Sequence, residues 1–300
     1  MPEPTPQTGV RAPVGVDPTR ASIARVYDAT LGGKDNYDVD RFVRDKVAEI
    51  APRQSDVARM NRRWLHRVVR YLSGTVGIDQ FLDIGAGLPT VGNTHEIVQQ
   101  QNPDAKVVYV DNDPVCNAHG RVLLETNENT HFVPADLTQP DTLLSHAEVT
   151  KHLDLSRPIG VVLCGILHHV DDDLDPAAIM QRYVDRLAPG SYIGITHFWD
   201  PGAESDEAHQ MALELQRRFT EMGLGSGWYR SRAEITSLFG DLNILEPGVV
   251  ELDDWWPSGP SVHQRSTDER LILGGLGYKP DNAGGDGVVT PLHRSNSTTK

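Results

Sequence analysis

The apolar residues change period near residue 80, and that change divides the chain. Before it they recur at helical spacing. Ile23, Val26 and Tyr27 share one face of a short helix ending near Leu31-Gly32-Gly33. Val39, Phe42, Val43, Val47 and Ile50 repeat along a second helix, which Pro52 ends. Val57, Met60, Trp64, Leu65, Val68 and Leu72 line a third, running from about Ser55 to Leu72 and broken by Ser73-Gly74. Between the first two lies a polar turn, Lys34-Asp35-Asn36-Tyr37, in which Asp35 or Asn36 is placed to cap the second helix. No linker separates these helices from the first strand, so they predict an N-terminal helical cap (about 19–75) rather than a separate domain.

From Gln80 short apolar runs alternate with helical stretches. The spacing predicts strands at Phe81–Asp83, Lys106–Val110 and His131–Val133, with helices over 92–101 and 115–126 between them. Ile159–Leu167 is almost continuously apolar, the pattern of a strand covered on both faces. A helix over Pro176–Leu187 and a fifth strand, Ser191–His197, come next. Further helices are expected at Ser205–Met222 and Arg232–Leu238, and late strands at Val249–Leu252 and Leu271–Leu273. This alternation predicts an α/β fold: a Rossmann-like, doubly wound, mostly parallel sheet with ligand at the carboxyl ends of its strands. Residues 1–18, rich in proline, and 281–300, rich in Gly, Ser, Thr and Asn, are expected to be disordered tails around one domain, 19–280.

The first strand runs into Asp83-Ile84-Gly85-Ala86-Gly87-Leu88-Pro89-Thr90. Two glycines spaced by one residue permit a tight turn and leave room for a ligand against the backbone. A dinucleotide site calls for a third glycine at the position of Thr90, so a phosphate-free cofactor, S-adenosylmethionine, fits this turn better than NAD.

Three acidic residues stand at the ends of three consecutive strands. Asp111, 26 positions after Gly85, is placed to accept from both ribose hydroxyls, with Asp113 as its competitor. Asp136 is placed to accept from an adenine amino group while Leu137 packs on the ring. Asp83 lies beside the turn, suited to the cofactor's amino group and to a neighbouring sulfonium.

A net charge of −14 argues against a nucleic-acid or anionic-membrane partner, both of which need a basic surface. With two cysteines there is no disulfide framework, and no apolar stretch reaches spanning length, so a soluble cytoplasmic protein is the expectation. The arginines at 59, 62, 63, 67 and 70 read as a solvated helix face.

The residues Ala24-Arg25-Val26-Tyr27-Asp28, Leu31-Gly32-Gly33-Lys34-Asp35-Asn36-Tyr37, Asn61-Arg62, Gln80–Gly85, Gly87-Leu88-Pro89-Thr90, Asn93-Thr94-His95-Glu96 and Val108–Pro114 together carry a family likeness. Over roughly residues 20–278 the chain resembles the bacterial S-adenosyl methyltransferase family, class I enzymes once grouped as a domain of unknown function. The resemblance implies the fold, the cofactor S-adenosyl-L-methionine and methyl transfer, but no acceptor. The positions expected to meet the cofactor are Tyr27, Gly33, Asn36, Arg62, Asp83, Gly85, Ala86, Gly87, Asp111, Asn112, Asp136, Leu137 and Cys164. The last, in its apolar run, also reads as a small core residue.

Transfer from a sulfonium needs alignment and, for some acceptors, a base. His168 and His197, after the fourth and fifth strands, are the candidate catalytic residues, with His169 beside the first. Asp171-Asp172-Asp173 matches no metal-ligand spacing and reads as loop solvation or capping, so no metal site is expected. Trp199, Asp200, Trp228, Tyr229, Trp255 and Trp256 are candidate acceptor-pocket residues, though aromatics at such positions more often belong to a core. Gly33 and Asn36 suggest a lid with close backbone approach, and Arg62 a partner for the cofactor's carboxylate. The expected acceptor is a small molecule with an O or N nucleophile. The rival reading is a non-catalytic protein that binds the cofactor or its demethylated product for sensing or scaffolding. Oligomeric state is not legible.

Overall fold

Strands buried on both faces form only where helices cover both sides of a sheet, and the central strands here meet that condition. The computed structural model describes residues 16–90, 92–125, 127–257, 259 and 264–280. In them β1 (Gln80–Ile84) is buried throughout, and β2 (Lys106–Asp111) is buried except at Lys106. β4 (Gly160–Cys164) and β5 (Tyr192–Phe198) are buried up to their last residues. With β3 (Thr130–Pro134) these pair in parallel, and β8 (Ile272–Tyr278) runs antiparallel to β5. The order is β3-β2-β1-β4-β5-β8-β6, where β6 is Asn243–Ile244; β7 (Val250–Glu251) also pairs with β8. The order reverses between β1 and β4, so the crevice of this sheet opens beyond their carboxyl ends.

One face of the sheet is packed by α8 (Pro176–Arg186) and its neighbours, through Ile179, Met180 and Tyr183. The other is packed by α3 (Gln54–Tyr71), through Trp64, Leu65 and Val68, with Trp64 meeting Trp255 edge-on at 5.6 Å. Burying each such side chain contributes about 1.5–3 kcal/mol. A third cluster joins α1 (Ile23–Leu31) and α2 (Asp38–Ala48) to α9 (Asp206–Glu221) through Val26, Val43, Val47, Ala212 and Phe219.

The cap is therefore smaller than the periodicity predicts. Only α1 and α2 form it; α3 belongs to the sheet. Nor does α3 break at Ser73-Gly74: it continues as a π-helical turn over Leu72–Val76 and stops at Gly77, which holds φ +87°. Neither Asp35 nor Asn36 caps α2; Tyr37 takes that position, and the Asp40 carboxylate accepts from its N–H at 2.8 Å. The apolar run Ile159–Leu167 holds a strand only to Cys164, because Gly165 turns the chain at φ +80°. Leu271–Leu273 is the start of the longer β8, whose alternation Gly274, Gly275 and Gly277 conceal. Between α5 (Pro114–Leu123) and β4, two short helices escape the periodicity, α6 (Pro140–Leu144) and α7 (Ala147–His152). Each is too brief to show a period. Residues 1–15 and 281–300 of the expected tails, and Thr126 at the end of the predicted 115–126 helix, lie outside the described residues.

No helix among the described residues is long and apolar enough to cross a membrane.

Candidate functional site

The turn after β1 is fixed by its backbone. Gly85 adopts φ +76° and Gly87 φ +67°, and the amides of Gly85 and Ala86 both donate to Val110 O (2.8 and 3.0 Å), which ties the turn to β2. A Cβ on Gly85 would lie 2.4 Å from the Ile166 side chain; above Gly87 there is no atom within 4 Å. The first glycine is thus required by packing, and the second leaves open space.

Beside this turn lies a cavity of about 130 Å³. Gly85, Asp111, Asn112, Asp136 and Leu137 of the predicted set line it, with Ile23 of α1 and Ile166, His169 and Val170 of the loop after β4. Asp111 is almost wholly buried. Its two oxygens accept from the amides of Gly87 (2.8 Å) and Asp113 (2.9 Å). Burial moves its carboxyl upward from the ordinary carboxylate range, and the amide donors oppose that. Asp113, the alternative candidate, is spent as the N-cap of α5, accepting from Val115 N at 2.7 Å. Asp136 uses one oxygen to hold the amide and hydroxyl of Thr138, both at 2.8 Å.

Asp83 and Arg62 are not among the residues that line this cavity; Asp83 stands at the end of β1, one residue before Ile84, which does line it. The Asp83 carboxylate is buried, and its hydrogen bond among the described residues comes from the Thr94 hydroxyl at 2.6 Å. Burial pushes its pKa up to about 6, against the pull of Thr94 and the Arg62 charge. Arg62 donates through one terminal nitrogen to Gly92 O at 2.9 Å, while its buried Nε has no partner among the described residues. A buried carboxylate short of donors and a buried guanidinium N–H short of an acceptor complement the ammonium and carboxylate of an amino-acid group.

Beneath the sheet's carboxyl edge, β4, β5, α1 and α3 join through one amide. Asn61 Oδ1 accepts from the hydroxyl of Thr196 (2.7 Å) and the thiol of Cys164 (3.1 Å), and its Nδ2 donates to Tyr27 Oη at 3.3 Å. Tyr27 Oη itself donates to Ala58 O. Burial raises the pKa of both Tyr27 and Cys164 to about 12, so both stay protonated. The apolar pattern of α3 does not single out Asn61 by role, yet the signal is there. Asn61 stands four residues after Val57 and three before Trp64, a polar group within the buried stripe.

Several expectations are corrected. Gly33 and Asn36 make their contacts within the loop between α1 and α2 and are not among the residues that line the cavity. A Cβ on Gly33 would sit 1.9 Å from the Asp28 carboxylate. The Asn36 amide donates to Asp28 (2.7 Å) and Gly33 O (3.0 Å), and its Oδ1 accepts from Arg41 (2.7 Å). Replacing Asn36 with alanine is expected to cost about 1–2 kcal/mol of stability, read by denaturant unfolding, with cofactor affinity unchanged by calorimetry. His197 is fully buried with both nitrogens engaged: Nδ1 donates to Phe198 O (2.7 Å), and Nε2 accepts from Arg230 (2.7 Å). Burial and the Arg230 charge bring its pKa down to about 3. It is not available as a base. His168 stacks on Phe198 at 3.6 Å; burial and the nearby His169, His197 and Arg230 charges hold it far below the ordinary histidine range, and its Nδ1 lacks a partner among the described residues. Trp255 is core, and Trp256 packs on Tyr71. Asp171 caps the turn after it by accepting from Asp173 N, and Asp172 pairs with Arg230. Asp200 holds His209 at 2.7 Å. No local pattern points to Arg230 or to Ile166, whose roles come only from contacts between distant segments.

The profile of the S-adenosyl methyltransferase family matches residues 10–280. Among solved structures, a provisionally assigned methyltransferase from Thermobifida fusca is 43% identical, with a TM-score of 0.84 over 91% of this chain and 100% of that one. A DUF574-family protein from Streptomyces avermitilis is 33% identical, with a TM-score of 0.80 over 87% and 98% of the two chains. An O-methyltransferase family protein from Burkholderia thailandensis, 14% identical with a TM-score of 0.50 over 81% and 63%, shares the fold alone. No curated protein matches. A family profile over nearly the whole chain, with a relative 43% identical over 91% of it, shows that the chain belongs to the S-adenosyl methyltransferase family and is an S-adenosylmethionine-dependent methyltransferase.

Proposed function

We propose that the enzyme methylates an O or N nucleophile of a small-molecule acceptor, one that brings its own available lone pair. The observation that carries this reading is the state of the histidines at the strand ends. His197 has neither a free nitrogen nor exposed surface, and His168 is held far below neutral pKa. An acceptor whose nucleophile must lose a proton on the enzyme finds no histidine base there, whereas a neutral amine or an ionised oxygen needs none.

In this reading Asp111 holds the ribose, Asp136 and Leu137 meet the adenine, and Asp83 and Arg62 take the amino and carboxylate groups. Gly85, Ala86 and Gly87 form the turn beneath, with Asn112, Tyr27 and Cys164 alongside. S-adenosylmethionine, when bound, supplies an electrophilic methyl group. The chain supplies position: two carboxylates anchored by backbone amides or a hydroxyl, and an apolar wall of Ile23 and Ile166 that excludes water. Incubation of the purified protein and a labelled methyl donor with fractionated small-molecule extracts tests this. Label in a small O- or N-methyl product is expected; label found only in protein or nucleic acid would overturn it.

Asp83 makes the affinity pH-dependent. A carboxyl raised to about 6 costs the free protein stability as pH rises through that value, because the folded state holds the proton longer than the unfolded one. A ligand ammonium favours the ionised form and reverses the preference. Affinity for S-adenosylmethionine is therefore expected to rise with pH up to about 6 and then level off, with proton release on binding below it. Asp83→Asn should flatten that limb. Calorimetry in buffers of different ionisation enthalpy checks both.

A further inference from the structure

We propose that Arg230 is a positioning residue that sets the cofactor-facing wall after β4, an inference resting on the reading that the crevice holds the cofactor. The wall is the segment from Ile166 to Asp172, which contributes Ile166, His169 and Val170 to the cavity. It leaves β4 at Gly165, carries the 3₁₀ turn Leu167–His169, and has no sheet pairing in its own residues. Something must hold it.

Arg230 does so from a rigid base. Its own backbone is locked to the end of β5: its amide donates to Phe198 O (3.2 Å), and its carbonyl accepts from Asp200 N (2.9 Å). The guanidinium is 5% exposed, a costly place for a charge unless every donor is used. It reaches Leu167 O (3.2 Å) and Val170 O (2.7 Å), brackets Asp172 Oδ1 through Nε (3.0 Å) and Nη2 (2.6 Å), and donates to His197 Nε2 (2.7 Å). Trp228, two residues earlier, adds a bond from its amide to His168 O at 2.7 Å. The Asp172 side chain is 69% exposed, and an ion pair so open to water contributes little by itself. What the buried charge does is fasten two loop carbonyls to β5 in a geometry that the flat fork of arginine matches and lysine does not. Leu167 does not line the cavity, but Ile166, His169 and Val170, next to or between the two fastened carbonyls, do.

The test is the affinity for S-adenosylhomocysteine by calorimetry, beside thermal unfolding and ¹⁵N spectra of the histidine rings. Arg230→Met is expected to raise Kd roughly tenfold, as two carbonyls and His197 lose their donor. Arg230→Lys should fall between it and wild type. His197 should show the Nδ1–H form in wild type and lose its Nε2 hydrogen-bond shift in Arg230→Met. Should Arg230→Met not fold, Arg230→Lys decides, since a single ammonium cannot hold both loop carbonyls and His197 at once: a roughly threefold rise in Kd supports the proposal. A folded Arg230→Met with wild-type affinity overturns it, as does an Arg230→Lys that leaves Kd unchanged where Arg230→Met does not fold. Failure of the wild-type protein to bind S-adenosylhomocysteine would instead sink the assignment of the crevice.

Discussion

Replacing Asp111 with alanine is expected to weaken S-adenosylmethionine binding by about 2–4 kcal/mol, a roughly 30- to 1000-fold rise in Kd. Two losses combine. The ribose hydroxyls lose a charged acceptor, and the turn loses the carboxylate that accepts from Gly87 N (2.8 Å) and Asp113 N (2.9 Å). The second loss also leaves two amides in search of partners, so the apo protein should be less stable, by about 1–3 kcal/mol. Asp111→Asn separates the two. Its amide oxygen still accepts one of these N–H bonds, so stability recovers more than affinity does. Titration calorimetry with denaturant unfolding of both variants reads the difference. An unchanged Kd in Asp111→Ala would move the ribose contact elsewhere.

Gly85→Ala is expected to be the most damaging single substitution at the site. The residue holds φ +76°, where a side chain costs about 1–2 kcal/mol, and the new Cβ meets Ile166 at 2.4, 2.6 and 2.9 Å, which adds overpacking of about 1–3 kcal/mol. A fall in Tm on the order of 10 °C is expected for a domain of this size. Because Ile166 lines the cavity, its displacement should also weaken the cofactor. Gly87→Ala is the control. Its φ is similar at +67°, but nothing lies within 4 Å. It should cost only the backbone strain while still obstructing ligand approach, so the two variants differ more in Tm than in Kd. Equal losses of stability would show that the Ile166 contact yields cheaply.

The large elements were legible because they are written in local pattern. The helical stripes of α1 to α3, α8 and α9 and the apolar runs of β1, β2, β4 and β5 fold as their periods predict. Chemistry tied to those strands was legible for the same reason. A residue just past a parallel strand must stand at the carboxyl edge of the sheet, and the structure brings Gly85, Asp111, Asp136 and Leu137 to one cavity. Short elements such as α6, α7 and β6 carried no period to read.

The Gly33–Asn36 block was legible only in part. Glycine and asparagine beside a helix end signal an unusual backbone, but not its cause, which here is the buried Asp28 carboxylate that Asp35 and Asn36 wrap. The same holds of the histidines. Their sequence positions place them at the right end of the sheet, whereas their protonation is decided by neighbours from segments far along the chain.

Sequence by itself determined the sheet, the glycine turn and the acidic residues at three strand ends, because each depends on residues a few positions apart. Only the tertiary structure decided which polar groups remain free to act. Hydrogen bonds between distant segments set that: Arg230 to His197, Asn61 to Thr196 and Cys164, Thr94 to Asp83. In a dry interior, a group's chemistry depends on the partners it has left unfilled.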